Sequence, residues 1–268
     1  MAELRALLSV SNLSVRFGGL LAIESLSLDV REGEVLSLIG PNGAGKTTAF
    51  NAISGYLAPA SGEVIFQGKK IINGRKTNEI AALGLVRTFQ KTSVFPNRSA
   101  LENILIGLHL QSKQSPLAIL LGLPSVARDE LALETEAKRI LIFINLEEKT
   151  NELAGALPYG EQRLLEVAIA LAAKPKLLML DEPVSGMNPS ETASFMAKLA
   201  EIRALGITIL LVEHDMKMVM GVSDRVVCLA QGKIIADGSP GDIQRNPDVI
   251  RAYLGERHKH VEGARSRA

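Results

Sequence analysis

The chain has 268 residues, of which 47% are hydrophobic and 22% charged, with a formal net charge of +1. That is the balance of an ordinary globular protein, long enough to bury a sizeable core as one large domain or two small lobes. The near-neutral charge removes the electrostatic footprint of a dedicated nucleic-acid binder, so no nucleic acid is expected as a partner.

In chain order, the N-terminal stretch lacks the charged, apolar and small-residue succession of a secretory signal, and a cytoplasmic protein is expected. Over residues 7–28, short segments of β-branched and aliphatic residues broken at Gly18-Gly19 predict antiparallel strands joined by a turn. Residues 34–39 form a short apolar run that enters a glycine-rich turn, and helical character follows Lys46 until Gly55. Residues 62–71 carry a further strand pattern with Gly68 marking its end, and residues 99–110 and 128–145 have helical periodicity. The most apolar run, 116–126, falls far below the ~20 residues that cross a bilayer and contains Pro116 and Pro124, so a partner must supply any membrane span.

A helix is predicted over 160–173, closed by Lys174-Pro175, and an apolar strand over 176–180 that delivers Asp181 and Glu182. Alternating helix and strand over 190–205, 207–212, 216–222, 225–230 and 233–236 predict a parallel, helix-covered sheet. Met216, Met218 and Met220 read as packing residues of a helix. Cys228, the one cysteine, lies in the apolar run 225–230; it reads as a small buried hydrophobe and fits a reducing compartment. Residues 257–268 form a polar C-terminal tail, and no internal repeat appears.

Chemistry concentrates at Gly40-Pro41-Asn42-Gly43-Ala44-Gly45-Lys46-Thr47, which satisfies the pattern G-x-x-x-x-G-K-[ST] between a strand and a helix. Glycines let backbone N–H groups turn inward around a phosphate, the helix start adds a positive dipole end, and Lys46 reaches the outer phosphates. Thr47 offers a hydroxyl to Mg²⁺, and Thr48 follows it at the helix start. Asp181, at the carboxyl end of an apolar strand, is the expected second metal ligand, directly or through water. Glu182 projects differently and suits a general base acting on the attacking water. The loop alone fits a kinase or a GTPase equally well.

The elements that accompany it resemble, in order and over almost the whole chain, the ATP-binding subunit of an ABC transporter. Arg87-Thr88-Phe89-Gln90 resembles the family segment whose glutamine senses Mg²⁺ and water where the transmembrane partner docks. Leu157-Pro158-Tyr159-Gly160-Glu161-Gln162-Arg163 resembles the signature segment, and Ser185-Gly186-Met187-Asn188 the loop that crosses the dimer interface. His214 matches the histidine that contacts the γ-phosphate, and Phe17 sits where an aromatic ring stacks on adenine. Compared with the commonest signature, Leu-Ser-Gly-Gly-Gln, this chain has Pro158 for serine, Tyr159 for the first glycine and Glu161 for glutamine. Proline has neither hydroxyl nor N–H to offer a phosphate, so a weaker grip across the dimer is expected, carried by Gly160 and the helix start behind it.

The resemblance implies an α/β P-loop NTPase fold, an ABC cassette over residues 1–256 with an antiparallel β subdomain and a helical subdomain near 92–174. It implies ATP and Mg²⁺ as ligands, with Gln90, Glu182 and His214 as catalytic residues and Thr47, Gln90 and Asp181 at the metal. Nucleotide contacts fall to Phe17 and to Gly40, Pro41, Asn42, Gly43, Ala44, Gly45, Lys46, Thr47 and Thr48, with Tyr159, Gly160 and Glu161 contacting the nucleotide of a second ATP-binding subunit, either another copy or a paralogue. Partners implied are transmembrane permease subunits and, indirectly, a solute-binding protein, placing the chain on the inner face of the cell membrane. Residues 87–90, 159–162, 186–189, 214–217 and 252–256 together resemble the branched-chain amino acid uptake type. ATPases for urea, amides or lipopolysaccharide share parts of these motifs. A cytosolic ABC ATPase of translation or DNA repair is the alternative from another class, and it would be expected to show tandem cassettes or a coiled-coil insertion.

Overall fold

A computed structural model describes residues 5–71, 75–88, 94–111 and 124–254. Strands β1 (Ala6–Phe17) and β2 (Leu20–Arg31) pair antiparallel across the turn at Gly18-Gly19, as the sequence predicts. Along β2, Ile23, Leu26, Leu28 and Val30 are buried whereas Glu24, Ser27 and Asp29 are exposed, so one face of this hairpin lies on the core. The pattern over 62–71 resolves into two strands, β4 (Ser61–Phe66) and β5 (Lys69–Lys70), because Gln67 (φ 51°) and Gly68 (φ 71°) turn the chain back on itself. These four strands form one sheet in the order β2-β1-β4-β5.

The second sheet follows the order β10-β9-β3-β8-β7-β6, where β3 is Val35–Ile39, β6 Leu85–Arg87, β7 Leu177–Asp181, β8 Thr208–Val212, β9 Arg225–Ala230 and β10 Lys233–Gly238. Every residue of β3, β7 and β8 is buried, the mark of strands covered on both faces. Leu36, Leu38, Leu177, Met179, Leu210 and Val212 face the first sheet and helix α1 (Lys46–Ile53). Their neighbours Val35, Leu178, Leu180, Ile209 and Leu211 pack on the other side, beneath α5 (Tyr159–Ala172) and α6 (Pro189–Ala204).

Two features correct the sequence expectation. Strand β10 runs antiparallel to β9 and not parallel: only Gln231 and Gly232 separate them, both at positive φ, and a parallel neighbour needs a crossover of about a dozen residues or more. Strand β6, parallel to β7 at the far edge, has three residues and therefore no readable periodicity.

Helix α2 (Thr77–Ala82) leads into β6. Within residues 92–174, helices α3 (Ala100–Leu108), α4 (Pro124–Phe143) and α5 gather a cluster of their own around Ile104, Leu141, Leu165 and Ala168. Ser99 caps α3 in a reciprocal box with Glu102, which fixes its start. Val167 and Ala170 of α5 pack toward the second sheet, so this helix joins the helical cluster to the strands. Helix α7 (Met216–Val222) buries Met218 fully, while Met216 and Met220 pack beside Val249 and Tyr253, and α8 (Pro240–Arg245) precedes a last helical stretch over 247–254. No helix of the described residues is long and apolar enough to cross a membrane.

Cys228 is fully buried in β9, and burial pushes its thiol up to about 11, against a smaller lowering influence from Lys46. The reactive species is the thiolate. Iodoacetamide at pH 8 is therefore expected to leave the folded protein unmodified and to label one site once it is unfolded in guanidinium, as mass spectrometry would record.

Candidate active site

Between β3 and α1 the loop is shaped by glycines that no other residue could replace without displacement. At Gly40 (φ +147°) a Cβ would stand 2.1 Å from the Leu229 carbonyl oxygen, and at Gly45 (φ +104°) it would stand 2.6 Å from Ile23 Cδ1. The Ala44 amide donates to the Pro41 carbonyl (3.1 Å), and the Gly232 amide to the Ala44 carbonyl (2.9 Å), tying the loop to the β9–β10 turn. Lys46, largely buried, donates from Nζ to the carbonyls of Gly40 (2.6 Å) and Pro41 (2.9 Å), so its ammonium lies within the loop. Helix α1 starts at Lys46 with no side-chain cap and no acidic residue in its first turn. Its amide end therefore keeps its full positive character toward the loop.

A cavity of about 510 Å³ runs from this loop to the hairpin turn, lined among others by Phe17, Gly43, Lys46, Thr47, Thr48 and Glu182. Phe17 is half exposed at its wall. The structure thus gathers the expected adenine-stacking ring, the loop and the expected general base around one space of a size usual for small-molecule sites.

Asp181 ends β7, one residue before Glu182 of the cavity wall, and is almost fully buried. Arg87 donates from Nη2 to Asp181 Oδ2 (2.7 Å) and from Nη1 to Asn51 Oδ1 (2.6 Å) and Ser54 Oγ (3.0 Å), with its guanidinium over the rings of Phe50 and Tyr56. Burial raises the Asp181 carboxyl above the usual carboxylate range, with Arg87 opposing the rise. Glu182 takes a left-handed backbone (φ 47°), uncommon outside glycine, pinned by its amide's bond to the Val212 carbonyl (2.8 Å). His214 Nδ1 lies 3.9 Å from Glu182 Oε2 and 3.7 Å from Glu213 Oε2, beyond hydrogen-bond reach of either. Gln90 lies outside the described residues.

Two residues that organise the site carry no sequence assignment of their own. Arg87 lies within the motif 87–90 and joins α1, β6 and Asp181. Glu213, fully buried, accepts from the amides of Val184 (3.1 Å), His214 (2.9 Å) and Asp215 (3.3 Å), clamping the turn after Glu182 against the turn that carries His214. A carboxylate that closes an apolar strand was the available signal for it.

The signature segment does not line the cavity. Pro158 precedes α5 and provides no side-chain cap. Gly160 is buried beneath Glu191, where a Cβ would meet Oε1 at 3.0 Å. Tyr159 Oη donates to the Ser185 carbonyl (2.9 Å), and Glu161 pairs with Lys149 Nζ (2.6 Å). The side chains expected to reach a second subunit's nucleotide thus have partners inside this chain.

Comparison with known proteins follows the same lines. The family model described as ABC transporter matches residues 23–185, and one described as Branched-chain amino acid ATP-binding cassette transporter matches residues 233–259. The high-affinity branched-chain amino acid transport ATP-binding protein BraF of Pseudomonas aeruginosa is 46% identical, over 94% of this chain and 99% of its own. LivG of Escherichia coli, with the same description, is 45% identical over 93% and 98%. The ADP conformation of MJ1267, an ATP-binding cassette of an ABC transporter, superposes with a TM-score of 0.82 at 33% identity, over 94% of this chain and 99% of that one. Sharing nearly half its residues with such proteins along almost their full length, the chain belongs to the ABC transporter family.

Proposed function

We propose that this chain binds and hydrolyses ATP with Mg²⁺ and thereby drives a membrane permease that takes up branched-chain amino acids. The single observation that carries the chemistry is the cavity joining the loop of Gly40 to Thr47 with Glu182. At Gly43, at positive φ, nothing stands within 4 Å of where a Cβ would be, so the loop's backbone stays open to a phosphate. The Thr47 hydroxyl and the Asp181 carboxylate are hard oxygen donors, which fit Mg²⁺, with Gln90 as a further oxygen donor. Bound there, the metal would neutralise charge on the β- and γ-phosphates.

In this proposal Lys46 leaves the Gly40 and Pro41 carbonyls for the outer phosphates, and Phe17 stacks on adenine. Glu182 accepts the proton of the attacking water, and His214 contacts the γ-phosphate. The other wall of the site belongs to a second cassette, whose Gly160 and helix start approach the γ-phosphate; its Tyr159 and Glu161 side chains hold that segment in place. Two sandwiched nucleotides would then stabilise the paired state, and loss of γ-phosphate would release it to reset the permease. The chain would sit at the inner face of the cell membrane, with a solute-binding protein as an indirect partner. Uptake of branched-chain amino acids is supported by the relatives' descriptions and by the match over 233–259.

Co-purification with permease subunits and reconstitution in vesicles tests this. ATP-dependent uptake of leucine is the expected result. Uptake of urea or an amide instead would overturn the solute class, and ATPase activity stimulated by ribosomes or DNA, with no permease bound, would overturn transport altogether.

A further inference from the structure

Where the commonest signature has its first glycine, this chain carries a side chain long enough to cross to the next loop. The Tyr159 hydroxyl accepts from Arg163 Nε (3.1 Å) and donates to the Ser185 carbonyl (2.9 Å). A guanidinium can only donate, so Arg163 fixes which way the tyrosine proton points. Arg163 is held in turn by Glu166, whose Oε2 accepts from Nη1 at 2.8 Å with both side chains almost fully buried, and its guanidinium lies 5.5 Å from the tyrosine ring. The same ring covers Gly186 (φ +85°), where a Cβ would stand 3.3 Å from Cε1.

Ser185 is one turn away from Glu182. Its amide donates to the Glu182 carbonyl (3.2 Å), and the Met187 amide to the Val184 carbonyl (3.0 Å). Glu182 holds a left-handed backbone that persists only where its surroundings over-determine it. We propose that Tyr159 is a positioning residue acting within its own chain: the relay Glu166, Arg163, Tyr159 fixes the Ser185–Gly186 loop and, through it, the carboxylate of Glu182. It rests on the ATPase role proposed above, and it assigns the departure from glycine a task on the near side of the site in place of a contact with the opposite nucleotide.

The test is Tyr159→Phe in the full chain, which removes one oxygen and keeps the ring over Gly186. Hydrogen exchange without nucleotide is expected to quicken about five-fold at the amides of Ser185 and Met187, the loss of one neutral hydrogen bond. With ATP, kcat is expected to fall by a similar factor while KM stays within about two-fold, since the loop around Lys46 is untouched. Arg163→Lys keeps a cation beside Glu166 but loses the Nε donor, and should shift both readouts the same way by less. Unchanged exchange in Tyr159→Phe would overturn the proposal, as would a raised KM with kcat and exchange unaltered, which would mean that the hydroxyl meets nucleotide. A wild-type chain without ATPase activity would overturn the proposed function alone, because the exchange comparison needs no nucleotide.

Discussion

Glu182→Gln is expected to slow ATP turnover by ~10²–10⁴, the usual contribution of a general base, while ATP binding stays near wild type. The amide keeps the size of the carboxylate, and the residue's backbone is held from outside by the Val212 carbonyl, so the left-handed turn should survive the exchange. Lys46, Thr47 and the glycines of the loop, which carry the phosphates in the proposed function, are untouched. Steady-state phosphate release alongside equilibrium binding of a fluorescent ATP analogue separates the two effects. Turnover close to wild type would reject Glu182 as the base and shift attention to His214, whose Nδ1 lies 3.9 Å away.

Arg87→Met should be among the most destabilising single changes in the protein. The pair with Asp181 leaves only 6% and 3% of the two side chains exposed. Removing one member of a buried pair strands the other, at a cost of about 3–5 kcal/mol. In a chain of this size that lowers the melting temperature by roughly 10 °C. The Asp181 carboxyl is already raised by burial and only partly restrained by Arg87, so the variant should raise it further. A carboxyl raised in the folded state penalises folding increasingly as pH climbs from its unfolded value through its folded one. The deficit should therefore be smaller at pH 5 than at pH 8, and Arg87→Lys, which keeps the charge, should lose less. Melting curves at the two pH values check both statements; a deficit that grows toward acid would contradict this account of the pair.

What the sequence made legible is what local backbone chemistry decides. Gly40, Gly43 and Gly45 are readable because each occupies a conformation that side chains rarely adopt, and β3, β7 and β8 because strands buried on both faces are apolar throughout. The direction of β10 was legible too, in the two-residue spacing at Gln231-Gly232, but alternating helix and strand pointed to a parallel neighbour. Strand β6 offers three residues and no period. The partners that organise the site are distant in sequence: Arg87 meets Asp181 across 94 positions, Glu213 meets Val184 across 29, and Tyr159 meets Ser185 across 26. No periodicity reports such pairs, so the sequence assigns no role to Arg87 or Glu213, and for Tyr159 and Glu161 it points to the nucleotide of a second subunit and not to their partners within the chain.

In the proposed function the loop of Gly40 to Thr47 is half of a site completed by a second cassette. Light scattering of the Glu182→Gln chain, alone and mixed with the companion cassette of the same transporter, tests it most directly. With ATP and Mg²⁺ the mass should double, and with ADP it should stay that of a single chain. A chain that binds ATP yet remains single both alone and in the mixture would contradict the account.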